Sequence, residues 1–77
     1  MSETTEKLIQ LAAKRFKADA ASLKPDDDVF KKLGINSFQA LALLSDLENE
    51  FGVEIPDYEL QGVFTFSALA KVIEKRK

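Results

Sequence analysis

Gly34 and Gly52 bracket a segment with no glycine, proline or basic residue inside it. Its apolar side chains Ala40, Leu43, Leu44, Leu47 and Phe51 recur at helical spacing. The spacing predicts a helix from about Ser37 to Phe51. Asn36 is a good N-cap, and with Gln39 three residues on it makes a capping-box-like pair that puts Ser37 at the first helical position. Gly52 fits a left-handed C-terminal cap with Val53 as the apolar residue after it. Phe38, Leu41 and Ala42 lie off the centre of the apolar stripe. They widen it either because this helix is the most buried of its domain or because Phe38 and Leu41 meet a partner.

The other segments have to cover this face, and they too read as helices. Ser2 to Thr5 offers several caps for a first helix, in which Ile9, Ala12, Ala13 and Phe16 repeat with Leu8 and Leu11 beside them. Residues 17–35 form a connection too long to be structureless in a compact domain. Within it Leu23 is expected inward, Lys24 to Asp27 is expected to turn, and Asp28 caps a short helical turn over Val29 to Leu33 that Gly34 ends, with Phe30 and Leu33 buried. Pro56 occupies a turn position or opens a short third helix. Thr65 is the expected N-cap of the last helix, with Phe64 and Leu69 placed as a staple and Phe66, Leu69, Ala70 and Ile73 on its core face. No strand signal, repeat or linker interrupts this, so the 77 residues are expected to form one all-α domain, a small four-helix bundle with a long first loop and a short third helix.

Chemistry of its own is sparse. The chain has no cysteine and no histidine, so a thiolate, the usual general base and the usual metal ligand are all missing. Any reactive thiol would have to arrive on an attached group. The run Asp26-Asp27-Asp28 lacks the alternating ligands, glycine and closing glutamate of a calcium loop, so no metal site is expected. The net charge of −2 hides a segregation. From Leu33 to Ala70 there is no lysine or arginine, while Asp46, Glu48, Glu50, Glu54, Asp57 and Glu59 all fall there. That field excludes the basic face that nucleic acid requires. It suits either an ordinary solvated face or docking on basic patches of proteins. No apolar run spans a bilayer and no secretory leader is visible, so a cytoplasmic, monomeric protein is expected.

One hydroxyl stands out. Ser37, at the start of the apolar helix, would hold an attached anionic group where free backbone N–H groups and the positive helix end favour it, which makes it a natural seat for a phosphodiester. The flanking pattern is Phe30, Leu33-Gly34-Ile35-Asn36-Ser37-Phe38, then Leu41, Leu44, Asp46-Leu47-Glu48, Glu50-Phe51, Val53 and Ile55-Pro56-Asp57. It closely resembles the acyl carrier protein family, from about Glu6 to Ile73. The resemblance implies the acyl-carrier bundle and a 4'-phosphopantetheine taken from coenzyme A onto Ser37, with Asn36 and Phe38 as motif neighbours. It also implies acyl thioesters as cargo in fatty-acid, polyketide or related lipid synthesis. A phosphopantetheinyl transferase and acyl transferases, ketosynthases or similar enzymes would be the partners, docking at Phe38, Leu41, Asp46, Glu48, Glu50 and Asp57. In the family the acyl chain folds into the bundle, which would here be lined by Leu41, Leu44, Phe51, Ile55, Val63 and Phe66. Asn36 replaces the family's usual acid, Phe38 its usual leucine, and Gln39 and Ala42 stand where fatty-acid carriers are often acidic. These departures suggest a specialised carrier. A peptidyl or aryl carrier, and an unmodified helical interaction module in which Ser37 is only a cap, are the alternatives. A catalytic role finds no support in the residues.

Overall fold

The computed structural model describes residues 3–77. It consists of four α-helices, α1 (Glu3–Phe16), α2 (Val29–Leu33), α3 (Ser37–Phe51) and α4 (Phe66–Arg76), with 3-10 turns at Ala20–Ser22 and Asp57–Leu60. Among the described residues there is no strand, only an isolated antiparallel bridge between Asp28 and Thr65. The all-α bundle expected from the sequence is therefore the fold.

Each long helix buries the face its spacing marks. Leu8 and Ala12 of α1, Leu43 and Leu47 of α3, and Phe66, Ala70 and Ile73 of α4 meet in a core that excludes water almost fully. Burying one such leucine stabilises by roughly 2 kcal/mol. α1 packs against both α4 and α3 and is the central support. Thr4 and Thr5 are buried inside the first turn of α1, and Ser2 lies outside the described residues. The helix ends at Lys17, which takes a left-handed conformation (φ 55°) as the Ala18 N–H reaches back to the Ala13 carbonyl, 2.9 Å away.

The long connection carries the structure its length requires. Leu23 is buried, and the Asp27 N–H closes a turn onto the Lys24 carbonyl at 3.0 Å. Asp28 accepts from the Lys31 N–H at 3.0 Å to cap α2, and Gly34, at φ 65°, closes it. Phe30 and Leu33 are only half-buried. They lie on a five-residue helix and pack against the core without being enclosed by it. The expected short third helix is a 3-10 turn, Asp57–Leu60, preceded by Pro56 without a side-chain cap. The Glu59 N–H reaches back only three residues, to the Pro56 carbonyl at 3.0 Å, which is the bonding of a 3-10 turn.

The bridge joins the two caps. Asp28 and Thr65 lie side by side, the Val29 N–H donates to the Phe64 carbonyl at 2.7 Å, and the Ser67 N–H donates to the Pro25 carbonyl at 2.9 Å. Thr65 also caps α4 by accepting from the Ala68 N–H. α2 is thereby pinned to the start of α4, facing the first half of α3.

Candidate functional site

The capping box at the start of α3 is complete. Asn36 Oδ1 accepts from the Gln39 N–H at 2.9 Å, and Gln39 Oε1 accepts from the Asn36 N–H at 3.1 Å. The Asn36 carbonyl takes the Ala40 N–H at 3.0 Å. Two N–H groups of the first turn remain, those of Ser37 and Phe38, with no partner among the described residues. Ser37 is the first residue of the helix and is exposed, and its hydroxyl makes no hydrogen bond to another described residue. By contrast Ser22 donates to the Asp19 carbonyl, and Ser67 lies 3.4 Å from the Thr65 hydroxyl. Ser37 thus combines a free hydroxyl with the positive end of a four-turn helix.

Ser37 also stands at a cavity of about 330 Å³ between α3, α2 and the segment around residues 57–69. From α3 come Ala40, Leu41, Leu43 and Leu44, from α2 Val29 and Phe30, and from the opposite wall Leu60, Val63, Phe64 and Leu69. Ser37, Asp57 and Thr65 are its polar members. Of the lining expected from the sequence, Leu41, Leu44 and Val63 are present. Phe51, Ile55 and Phe66 are not. Phe66 is fully buried in the core and Ile55 is 5 % exposed, so both are spent on packing. Phe51 lies under two cations, Lys7 at 5.9 Å and Lys77 at 5.3 Å from its ring centre. Val29, Phe30, Phe64 and Leu69 replace them, brought together by the Asp28–Thr65 bridge, which no local pattern signals. The Phe30 and Phe64 rings meet edge to face at 6.5 Å.

The six residues expected at a docking surface separate into two groups. Phe38, 80 % exposed, and Leu41, 54 % exposed, flank Ser37, and Asp57 is exposed at the cavity. The three acids of α3 lie in its second half and are engaged. Both Asp46 oxygens accept from Arg15 of α1, whose Nη2 lies 2.8 Å from Oδ1. These hydrogen bonds hold the Asp46 carboxyl below the usual aspartate range and push the Arg15 guanidinium above its own. Glu48 accepts from the Ile55 N–H at 2.8 Å, tying down the loop after α3, and Glu50 pairs with Lys7 at 3.2 Å. In the Asp26–Asp28 run, Asp27 accepts from the Lys24 N–H and Asp28 caps α2. Among the described residues no cluster of acids is arranged to hold a metal ion.

Comparison with known proteins settles the family. Residues 6–73 match the family described as the phosphopantetheine attachment site. The chain belongs to the acyl carrier protein family. It is 33% identical over 72 residues to the acyl carrier protein of Helicobacter pylori strain G27, an alignment that spans 94% of this chain and 92% of that protein. The protein of the same name from strain HPAG1 matches equally well. The carrier's prosthetic group is a covalently attached 4'-phosphopantetheine, and the start of α3 fits it. A free hydroxyl, two N–H groups without partners and the positive helix end suit a phosphodiester, and the apolar cavity beside them suits an acyl chain. Membership implies a transferase that attaches the group and biosynthetic enzymes that use it. Among the described residues no helix is long and apolar enough to cross a membrane.

Proposed function

We propose that this chain is a single-domain, non-catalytic acyl carrier whose 4'-phosphopantetheine is borne by Ser37. The observation that carries the reading is the unengaged, exposed Ser37 hydroxyl on a fully capped helix at the mouth of an apolar cavity. In the attachment step Ser37 Oγ forms a bond to the phosphorus of the pantetheine arm of coenzyme A. The bond from that phosphorus to the nucleotide half breaks, adenosine 3',5'-bisphosphate leaves, and the hydroxyl proton passes to the transferase. The attached group supplies a terminal thiol that carries acyl groups as thioesters at a raised effective concentration. This chain's own part is positional. Asn36 and Gln39 fix the helix start, and the N–H groups of Ser37 and Phe38 offset the phosphate charge.

The cargo is an acyl chain of a specialised pathway, polyketide or lipid, and not the general fatty-acid intermediates. A cavity lined by ten apolar residues and only three polar ones supports an acyl cargo over a peptidyl one. The uncharged first half of α3 supports partners other than the general machinery, with Asp57 as the carboxylate left for a basic patch on a biosynthetic enzyme. Such a carrier works as a monomer in the cytoplasm.

Intact mass spectrometry after incubation with coenzyme A, Mg²⁺ and a broad-specificity phosphopantetheinyl transferase tests the attachment. One added phosphopantetheine is expected on the native chain and none on Ser37→Ala. No gain on either would turn the reading to an unmodified interaction module. Efficient loading of the holo-protein by a fatty-acid synthase malonyl transferase, matching that enzyme's own carrier, would remove the specialisation.

A further inference from the structure

We propose that Glu59 and Arg76 latch the 3-10 turn Asp57–Leu60 against α4 and thereby set the longest acyl chain this carrier shelters; the inference rests on Ser37 bearing an acylated phosphopantetheine arm. The cavity beside Ser37 has three walls, and they are held differently. α3 is fixed by the buried Leu43 and Leu47. α2 and the start of α4 are joined by the Asp28–Thr65 bridge, with backbone bonds from Val29 to Phe64 and from Ser67 to Pro25. The turn supplies Asp57 and Leu60 to the lining, yet none of its four residues is buried and Pro56 before it makes no side-chain capping bond. A wall with no buried residue of its own is the one that yields first.

What fastens the turn is a set of polar contacts to the end of α4. Glu59 Oε1 lies 3.4 Å from Lys75 Nζ and 3.6 Å from Arg76 Nη2. The same Nη2 donates to the Tyr58 hydroxyl at 3.1 Å, and the guanidinium sits 5.9 Å from the centre of the Tyr58 ring. The Glu59 side chain is only 13 % exposed, so solvent and salt screen this network less than an ordinary surface pair. The latch also has a built-in weakness. Arg76 Nε is buried with no hydrogen-bond partner among the described residues, a desolvated donor that regains water once the turn swings out. The contacts are therefore firm enough to close the cavity of the empty carrier and weak enough for cargo to break. At the packing density of protein interiors the closed cavity of about 330 Å³ takes an acyl tail of roughly ten carbons. A longer tail has to displace Leu60, and with it Glu59 from Arg76.

The test loads the full-length chain with acyl-phosphopantetheine arms of about 4 to 16 carbons, taken from the matching acyl-coenzyme A by a broad-specificity phosphopantetheinyl transferase with Mg²⁺, and compares thermal melts with the holo-protein. A sheltered tail binds the folded state alone, so Tm should rise with length and stop rising at roughly ten carbons. Glu59→Gln and Arg76→Gln, each compared with its own holo form, should move that break out by about two carbons, because a buried methylene and a charge-assisted hydrogen bond are of similar size. Arg15→Gln, which removes an ion pair that does not involve the turn, should leave the break in place. Tyr58 is the one tyrosine of a chain without tryptophan, so its emission reports the latch directly. Tails below the break should leave that emission at the holo value, and tails beyond it should bring it to the value of Arg76→Gln. An unchanged break in both latch variants, with Tyr58 emission constant at every length, would overturn the proposal and place the yielding wall elsewhere. A Tm indifferent to tail length would overturn it by leaving the tail outside the cavity while the attachment stands. No mass gain on the native chain would overturn the Ser37 reading, and this inference with it.

Discussion

The two halves of α3 share one helix and differ in almost everything else. The first half, from Ser37 to Leu44, has no charge, exposes Phe38 and Leu41, and borders a cavity of about 330 Å³. The second half, from Ser45 to Phe51, carries the acids, and every one of them is matched by α1 or by the loop after α3. Leu47 there is fully buried. A helix is stiff along its length, so anchoring one end is enough to hold the other in place while leaving its surface free. The second half is tied down on its outer side as well as its inner one, whereas the first half is held only from inside, by Leu43 and Leu44, and leaves the surface around Ser37 open.

The sharpest way to break this contrast is to shorten one leucine in each half. Leu47→Ala shortens a side chain with no exposure, and should destabilise by roughly 2–5 kcal/mol. In a domain of this size that lowers Tm by about 10 °C or more. Leu41→Ala, half-exposed at the cavity rim, should change stability by no more than about 0.5 kcal/mol. Urea titrations of the two variants check both. Equal losses would mean that the first half is as much a part of the core as the second.

Much of this division is visible in the sequence because caps and helical spacing are local. Asn36 with Gln39, Gly34, Gly52, Asp28 and Thr65 each act within four residues of themselves, and each does so as expected. The angle of Phe38 and Leu41 off the apolar stripe leaves burial and exposure both open, and the structure exposes both. What the residues do not announce is how separate segments meet. Arg15 and Asp46 are 31 positions apart, and nothing near either marks the other. The cavity wall depends on the Asp28–Thr65 bridge, so Val29, Phe30 and Phe64 supply it. Phe51, Ile55 and Phe66 are equally apolar, but they are taken up by the core and by the cations of α1 and the C-terminus. Apolar character tells that a side chain is sheltered without telling whether a gap or another side chain shelters it.

The helix ends offer the next contrast. Gly52 closes α3 at φ 66° with nothing near its Cβ position, so Gly52→Ala meets only the backbone penalty of the left-handed region, about 1 kcal/mol. At the other end Asn36→Ala removes the side-chain half of the capping box and should lose about 1 kcal/mol or somewhat less. The two variants should melt alike and differ in function. Gly52→Ala leaves the rate of phosphopantetheine attachment unchanged, whereas Asn36→Ala slows it, because fraying of the first turn misplaces Ser37. Asn36→Asp keeps the cap, adds a favourable charge at the positive helix end, and should recover the rate.

The smallest effect lies in the pair that fastens the second half of α3 to α1. Asp46 is held below the ordinary aspartate range of about 3.9 by hydrogen bonds from Arg15. A carboxyl whose value falls on folding contributes stability above its unfolded value, and that contribution disappears as pH drops through the folded one. Arg15 remains charged throughout, so Asp46 alone sets the window. Both side chains are about a third exposed, which keeps the effect small. Asp46→Asn should therefore melt slightly below the native chain at pH 7, and the gap should close as pH is taken below about 4. Added salt should narrow it at pH 7 as well. A gap that persisted at pH 2 would show that Asp46 holds α3 by packing against α1, and the charge of the second half would then be incidental to its anchoring.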